Sequence, residues 1–413
     1  MSDRRVVITG LGWVTPQGTD VGQVFDDLLA CKSWVRPITR FDTTQYTTKF
    51  GGEINGSVAM AHLDRRDERR LDRFAQYALN AAIDAVEDSG IDFSKENPWR
   101  CGAVIGSGIG GIEEVEIGYQ KLLEKGPSRV SPFVVPKLMC NAGSGHVSIH
   151  YGLKGPNSAT VSACASAAHA IGDAAMAIRH NAADVMVSGG SEAACTAMGV
   201  ACFVALKALS TRNDDPQRAS RPFDVDRDGF ILSEGAGIVV LEEYEHAKAR
   251  GARIYAELKG YGQTADGSHI TAPDPEGAGA GHAMELALKD ADLGAADVDY
   301  INAHGTSTEL GDMAECNAIK RTLGSDADKA AVSSTKSMTG HPLGAAGGIE
   351  AVIVAKTIET GKIAPTINLD ELDEKCAGLD HVANTPREAD VRVAMSNSFG
   401  FGGHNVALVM ARL

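Results

Sequence analysis

Short apolar runs alternate along this chain with longer segments of helical periodicity, and this alternation limits the folds that the chain can adopt. Val6 to Thr9, Val104 to Gly106, Val185 to Gly190 and Ile238 to Leu241 are typical of buried strands. The segment Asp72 to Gly90 places apolar residues at helical spacing and predicts an amphipathic helix. Strands that alternate with helices predict an α/β protein in which helices cover sheets.

The pattern occurs twice. Arg4 to Gly12 opens the chain, and Arg253 to Gly262 opens a second stretch of similar character. Each is followed by an apolar helix with an acidic turn and then by a strand that reaches a loop of small polar residues. We interpret this as two similar halves, residues 1–251 and 252–413, sharing one core. Two polar segments, 210–224 and 264–281, are predicted to be long loops that shape a site.

Composition excludes several classes of protein. The 413 residues are 44% hydrophobic, which is enough for a large core, and the net charge of −15 opposes binding to nucleic acid. The eight cysteines lack metal-type spacing, so we expect reduced thiols and no metal. There is no signal-peptide pattern and no apolar run long enough to span a bilayer. We therefore expect a cytoplasmic protein that does not bind membranes.

Cys164 lies where a strand-like segment gives way to a helix of small residues. The N–H groups and the positive dipole end of a helix N-terminus stabilise a thiolate and lower the pKa of a thiol to about 3.5–7.5. Taken alone, Cys164 is better explained as a buried structural thiol, since free cysteine is among the most buried residue types. The histidines of the second half favour the catalytic interpretation.

Two histidines follow strand-like runs and stand beside glycine, at loop positions from which a side chain can enter a pocket. They are His304 in Asn302-Ala-His-Gly-Thr306-Ser-Thr308 and His341 in Lys336-Ser-Met-Thr-Gly-His341. Lys336 could add positive charge to the same site, although a lone lysine is usually solvated.

A glycine-rich segment near the end of the chain, Ser396-Asn-Ser-Phe399-Gly-Phe401-Gly-Gly403, allows close backbone approach to a ligand. Its N–H groups could complete an oxyanion hole.

These motifs together resemble the elongating β-ketoacyl-[acyl-carrier-protein] synthases of the thiolase-like superfamily, and are most similar to the synthase II type. The resemblance covers essentially the whole chain, including Ala219 to Phe230, and the Cys-His-His set separates elongating from initiating synthases. It implies a layered αβαβα fold of two similar halves. It also implies an acyltransferase that condenses malonyl-carrier protein with an enzyme-bound acyl thioester in fatty acid synthesis, with loss of carbon dioxide.

The resemblance assigns roles residue by residue. Cys164 would carry the acyl chain, the N–H groups of Cys164 and Phe401 would hold the oxyanion, and His304 and His341 would promote decarboxylation. Lys336 would support the site, with Glu350 as its partner. The residues expected to bind or line the substrate path are Ile109, Thr306, Thr308, Phe399 and Phe401. No cofactor is expected, because phosphopantetheine arrives on the carrier protein.

The resemblance also implies a homodimer and docking of the acidic carrier protein. Five arginines cluster between Asp64 and Arg73, where a solvated helix face is the plain alternative. The residues that match docking positions are Arg66, Arg69, Arg70, Arg129 and Lys207.

Other functions remain open at this point. A synthase I or polyketide-type ketosynthase would use the same chemistry. Gly106-Ser-Gly108-Ile-Gly-Gly111 fits the G-x-G-x-x-G template of dinucleotide-binding oxidoreductases, which makes that class a remote alternative. A non-catalytic chain-length partner would lack Cys164, and a degradative thiolase would carry a second catalytic cysteine near the C-terminus.

Overall fold

The computed structural model describes residues 4–56, 61–64 and 69–413. Its strands are β1 (Val6–Val14), β2 (Arg36–Pro37), β3 (Phe50–Gly51), β4 (Cys101–Gly106), β5 (Asn157–Ser158), β6 (Val185–Glu192), β7 (Gly235–Glu243), β8 (Ala256–Ala265), β9 (Tyr300–Asn302), β10 (Ala331–Ser333), β11 (Lys362–Ile363), β12 (Asp380–His381), β13 (Arg387–Glu388), β14 (Val393–Gly400) and β15 (His404–Ala411). The helices are α1 (Val21–Leu29), α2 (Arg73–Ser89), α3 (Ile112–Lys125), α4 (Val134–Leu138), α5 (Ala142–Tyr151), α6 (Ser166–Arg179), α7 (Ala197–Ala205), α8 (Tyr244–Ala249), α9 (Ala278–Asp290), α10 (Glu309–Leu323), α11 (Lys336–Thr339) and α12 (Ala346–Thr360).

Eleven of the described strands form one sheet in the order β12-β10-β9-β14-β15-β8-β1-β7-β6-β4-β5. Apart from β12 at one end, the order is symmetric about the β1–β8 pair. From β1 outward the neighbours are β7 and β6, both antiparallel, then β4 and β5, both parallel. From β8 outward they are β15 and β14, both antiparallel, then β9 and β10, both parallel.

The two runs of strands meet where β1 pairs with β8 through only two residue pairs, Val7 with Glu257 and Ile8 with Ala256. Helices α6 and α12 contact each other and strands of both runs, so they form the central layer. Helix α2 covers the outer face of the first run, and α9 covers that of the second. The result is the five-layered αβαβα arrangement that the resemblance implies.

Close glycine–alanine contacts fix the outer helices on the strands, and they occur at equivalent places in the two halves. A Cβ added to Gly12 of β1 would lie 2.1 Å from the carbonyl oxygen of Ala81 in α2. A Cβ added to Gly262 of β8 would lie 2.0 Å from that of Ala283 in α9. The repeat seen in the sequence therefore has a physical basis, although the boundary near Gly251 stays a prediction.

The predicted helix at Asp72–Gly90 is confirmed. Asp72 caps α2 by accepting the N–H of Phe74, and Gly90 ends it in the left-handed conformation. The predicted loop 264–281 is wrong at both ends, because β8 extends to Ala265 and α9 already begins at Ala278. None of the helices described is both long enough and apolar enough to cross a membrane.

Candidate active site

Cys164 lies in a 3₁₀ turn, Ala163–Ala165, that leads directly into α6. Ala163 has a φ of 51°, in the left-handed region that is unfavourable for a residue with a side chain. Ser166 Oγ accepts the N–H of Ser162 at 2.9 Å and donates to the carbonyl of Ala163 at 2.7 Å. These bonds close the turn and hold Cys164 at the start of the helix, where it is only 7% exposed.

The structure brings the two predicted histidines to this cysteine. Cys164 Sγ and a ring nitrogen from each of His304 and His341 all lie within 4.8 Å of one another. The two imidazole rings are 5.3 Å apart at their centroids and nearly perpendicular. The first half of the chain therefore supplies the sulfur, and the second half supplies both rings.

A buried carboxylate holds the His304 loop. Glu315 of α10 accepts the N–H of His304 at 2.8 Å and that of Gly305 at 2.6 Å. Asn397 of β14 donates to the same carboxylate at 3.2 Å. Sequence analysis missed Glu315, and its only sequence signal is an acidic residue on the apolar face of a helix.

His341 is held by its own main chain. Its N–H donates to the carbonyl of Ile231 at 2.7 Å, and its carbonyl accepts the N–H of Ser233 at 3.1 Å. These residues lie on the segment that precedes β7, so the first half of the chain fixes a histidine of the second half.

Both imidazoles are neutral at pH 7. Burial lowers the pKa of His304 and of His341 well below the ordinary value, and the positive charge of Lys336 acts in the same direction. Nδ1 of His304 and both ring nitrogens of His341 have no hydrogen-bond partner among the described residues. Both histidines line the same cavity as Cys164.

Lys336 is 1% exposed, so the alternative of a solvated lysine is wrong. Its Nζ forms an ion pair with the carboxylate of Glu350 on α12, the partner that the resemblance implies. Burial raises the pKa of Glu350, and the Lys336 ammonium opposes that rise. The pair places a positive charge behind the cysteine and the two histidines.

The expected lowering of the Cys164 pKa is wrong for this cavity. Burial raises that pKa to about 12, while Lys336 and the N–H of Phe401 act against the rise. A thiolate loses most of its hydration at such a site, and the helix start does not replace it. Burial therefore favours the thiol over the thiolate at Cys164.

The glycine-rich segment approaches the cysteine closely. The backbone N–H groups of Phe401 and of Cys164 itself lie near Sγ and both act to lower its pKa. A Cβ added to Gly400 would lie 2.5 Å from the carbonyl oxygen of Ser162 and 3.1 Å from the nitrogen of Cys164. Two N–H groups thus converge where an oxygen of a tetrahedral intermediate would form.

Cys164 and both histidines line a cavity of about 360 Å³. Its walls include most of the predicted substrate-binding residues, namely Thr306, Thr308, Phe399 and Phe401, together with the apolar side chains of Phe203, Leu206, Phe230, Leu310 and Leu343. The hydroxyl oxygens of Thr306 and Thr308 are 3.0 Å apart. Ile109 is absent from this lining, and its side chain is 37% exposed.

The predicted docking residues lie on the surface where the structure describes them. Arg69, Arg70, Arg129 and Lys207 are exposed, and no ion pair joins any of them to another described residue. Arg66 lies outside the described residues. Lys207 also lines the cavity, which places a positive charge beside the site.

The G-x-G-x-x-G segment does not present its N–H groups to a phosphate. The N–H groups of Gly108 and Ile109 donate to the buried carboxylate of Glu192 at 2.7 and 3.2 Å. This contact argues against the dinucleotide-binding alternative.

Among the residues that the structure describes, two sets of side chains have spacing suitable for a metal ion. One is Cys164, His304 and His341, and the other is His62, Asp84 and Glu87 at the surface. In the second set the imidazole already contacts Asp84 at 2.7 Å. The absence of a resident metal stays a prediction.

Comparisons with known proteins cover the whole chain. Residues 3–247 match the family model of the β-ketoacyl synthase N-terminal domain, and residues 255–370 match that of the C-terminal domain. The chain is 51% identical to 3-oxoacyl-[acyl-carrier-protein] synthase 2 of Vibrio cholerae serotype O1 and to that of Coxiella burnetii, each over 100% of both chains.

Solved structures agree. A β-ketoacyl synthase from Burkholderia phymatum STM815 is 40% identical, with a TM-score of 0.92 over 99% of this chain and 100% of that one. A type II polyketide ketosynthase, solved in complex with its acyl-carrier protein, is 33% identical with a TM-score of 0.92 over 99% of this chain and 100% of that one.

Proposed function

Because the chain belongs to the β-ketoacyl synthase family, we propose that Cys164, His304 and His341 carry out its decarboxylative Claisen condensation. The enzyme is an acyltransferase of fatty acid elongation that joins an acyl group to malonyl-[acyl-carrier protein] and forms 3-oxoacyl-[acyl-carrier protein]. The convergence of one sulfur and two imidazole nitrogens within 4.8 Å carries this assignment.

In the first half-reaction, Cys164 attacks the acyl thioester of the carrier protein. The new bond joins Sγ to the acyl carbon, and the bond to the carrier thiol breaks. Since burial raises the Cys164 pKa to about 12, the thiol must lose its proton as it attacks. A neutral imidazole within 4.8 Å accepts that proton and returns it to the departing thiolate.

The N–H groups of Cys164 and Phe401 stabilise the oxyanion of the tetrahedral intermediate. These donors are fixed before the reaction by the 3₁₀ turn and by the close approach of Gly400. Each donor of this kind contributes about 10²–10³ in rate.

In the second half-reaction, malonyl-carrier protein loses carbon dioxide and becomes an enolate. The unpartnered ring nitrogens of His304 and His341 donate to the enolate oxygen as neutral imidazoles. The enolate carbon then attacks the acyl carbonyl on Cys164 and displaces the sulfur as a thiolate. That thiolate takes up one proton from solvent, which balances the loss of the malonyl carboxylate as carbon dioxide. The apolar walls of the cavity keep water away from the enolate.

The carrier protein supplies the phosphopantetheine arm, so the reaction needs no resident cofactor. Thr306 and Thr308 line the cavity and offer hydroxyl groups to the amides of that arm. Arg69, Arg70, Arg129 and Lys207 offer exposed positive charge to an acidic carrier in a protein of net charge −15. The polyketide ketosynthase solved with its carrier protein supports this mode of partnership.

We further infer that the enzyme is a homodimer. Strand β5 lies at one end of the sheet, with both of its residues exposed. Eight large apolar side chains are exposed between residues 115 and 139, namely Val115, Ile117, Tyr119, Leu122, Leu123, Phe133, Val135 and Met139. Helix α3 contacts α4, α4 contacts α5, and α5 contacts β5, so this surface is continuous with the end of the sheet. So large an apolar surface is typical of an interface.

The cytoplasmic location stays a prediction of the sequence.

The assignment is tested by separate assays of condensation and of malonyl-carrier-protein decarboxylation, with acyl donors of graded length. We expect Cys164→Ala and Cys164→Gln to lose condensation by at least about 10³-fold, because the acyl carrier atom is gone. Both variants should still decarboxylate malonyl-carrier protein, because both histidines remain. Cys202→Ala is the matched control, since Cys202 is exposed and is not part of the cavity lining. Retained condensation by Cys164→Ala would refute the assignment.

A further inference from the structure

Glu192 is a fully buried carboxylate that has no part in the chemistry described above. It is the last residue of β6 and is 0% exposed. Four donors surround its two oxygens. They are Ser107 Oγ at 3.0 Å, Gly108 N at 2.7 Å, Ile109 N at 3.2 Å and Gly344 N at 3.0 Å.

These donors come from both halves of the molecule. Ser107, Gly108 and Ile109 follow β4 in the first half, whereas Gly344 belongs to the second half. One oxygen, Oε2, accepts both the Gly108 and the Gly344 N–H groups. A single carboxylate oxygen therefore links a loop of one half to a loop of the other by hydrogen bonds.

Each of the two loops touches the reacting groups. Gly344 is separated from His341 only by Pro342 and Leu343, and both His341 and Leu343 line the cavity. On the other side, a Cβ added to Gly108 would lie 3.4 Å from the carbonyl oxygen of Ala163, the residue before Cys164. The carboxylate thus joins the turn after a catalytic imidazole to the backbone beside the nucleophile.

The two loops approach each other so closely that only glycine fits at position 344. A Cβ on Gly344 would lie 2.2 Å from the nitrogen of Gly108 and 2.7 Å from Glu192 Oε2. Leu343 has a φ of 43°, so the turn holds a conformation that is strained for a residue with a side chain. The surrounding contacts must maintain this conformation, and Glu192 provides one of them.

A buried carboxylate is costly unless donors replace its hydration. Burial raises the pKa of Glu192 to about 7, and its hydrogen bonds oppose that rise. Such a group persists in a core when its contacts serve the site nearby.

We propose that Glu192 is a positioning residue for the condensation. Its carboxylate accepts hydrogen bonds from both the Gly344 turn and the Ser107–Ile109 loop, and thereby sets the position of His341 relative to Cys164. This inference rests on the proposed function. Acylation needs Sγ, the oxyanion donors and one imidazole as proton acceptor, whereas decarboxylation needs both His304 and His341 as donors to the enolate. Loss of the hydrogen bonds between Glu192 and the two loops should therefore impair decarboxylation more than acylation.

Two variants test the idea at pH 8, where a carboxyl group with a pKa near 7 is ionised. Glu192→Gln keeps the shape but removes the charge and one acceptor atom. Glu192→Asp keeps the charge but lacks the length to reach both loops. For each variant we expect the ratio of the decarboxylation rate to the Cys164 acylation rate to fall about 10-fold relative to the unmodified enzyme.

Glu53→Gln is the matched control. Glu53 is also buried and accepts the N–H groups of Thr39 and Arg40 at 3.1 and 3.0 Å, but it is not part of the cavity lining. Its loss should lower thermal stability without changing the ratio, since fewer folded molecules reduce both half-reactions equally.

An unchanged ratio in either folded Glu192 variant would overturn the inference, and so would a tenfold fall of the ratio in Glu53→Gln. The proposed function fails in a different way, namely if the unmodified enzyme does not form the acyl-Cys164 thioester or does not decarboxylate malonyl-carrier protein.

Discussion

At the nucleophile, burial and positive charge act in opposite directions on one sulfur atom. Burial raises the Cys164 pKa to about 12, and Lys336 acts to lower it. The same lysine also lowers the pKa of His304 and of His341. One ammonium group thus favours a reactive sulfur and at the same time keeps both imidazoles neutral.

Motifs identified these residues, but they did not reveal their protonation. A cysteine before a run of small residues predicts a helix start. Its 7% exposure depends on Leu343 and Phe230, which are distant in sequence and pack in the same apolar cluster. For the same reason Lys336 could not be distinguished from a solvated lysine, and Glu192 and Glu315 were missed. Burial of a polar side chain is a property of the assembled fold.

Removal of the Lys336 charge should shift the pH dependence of decarboxylation. In the double variant Lys336→Met/Glu350→Gln no buried charge is left unpaired. The pKa of both imidazoles then rises toward its ordinary value. An imidazole is charged below its pKa, and the charged form no longer acts as proposed. As the pH is lowered, the double variant should therefore lose decarboxylation at a pH about one unit higher than the unmodified enzyme does. Rates of malonyl-carrier-protein decarboxylation between pH 5 and 8 measure this shift.

Lys356→Met/Glu359→Gln is the matched control for the Lys336 prediction. It removes another lysine–glutamate pair involving α12, and neither residue is part of the cavity lining. The role of Lys336 is contradicted if both double variants lose decarboxylation at the same low pH as the unmodified enzyme.

Among the elements, the outer helix α2 was the most predictable. Helix α2 has apolar residues at regular spacing and capping residues at both ends, so its bounds followed from the sequence. The bounds of β8 did not, because its last residues are polar and are held by pairing with β15 rather than by an apolar pattern. Strands with partners distant in sequence are defined by those partners.

The close packing of strand glycines against the outer helices can be tested by substitution. Gly262→Ala would place a Cβ 2.0 Å from a backbone oxygen of α9 and force the helix away from β8. We expect a loss of about 3 kcal/mol in the free energy of unfolding. Gly145→Ala in α5 is the control, since no atom lies within 4 Å of the added Cβ and alanine favours the helix. Chemical denaturation measures both, and equal losses in the two variants would contradict the packing argument.

For the whole molecule, the symmetric sheet explains why the site lies between the halves. Each half ends its parallel strands in loops, and the central helices α6 and α12 bring those loops together. Cys164 lies in the turn directly before α6, and His341 lies shortly before α12. The sequence places Cys164 in one half and both histidines in the other, but only the fold shows that the two halves bring these side chains within 4.8 Å of one another.

The exposed apolar surface from Val115 to Met139 gives the prediction at the largest scale. A charge at its centre should separate the subunits of the proposed homodimer, because a carboxylate cannot be buried there without a partner. We therefore expect Phe133→Asp/Val135→Asp to sediment as a single chain at concentrations where the unmodified protein sediments as two. Leu413→Asp is the control, since Leu413 is 54% exposed at the other end of the sequence. An unmodified protein that sediments as one chain at micromolar concentration would exclude the dimer, and the apolar surface would then need a different partner.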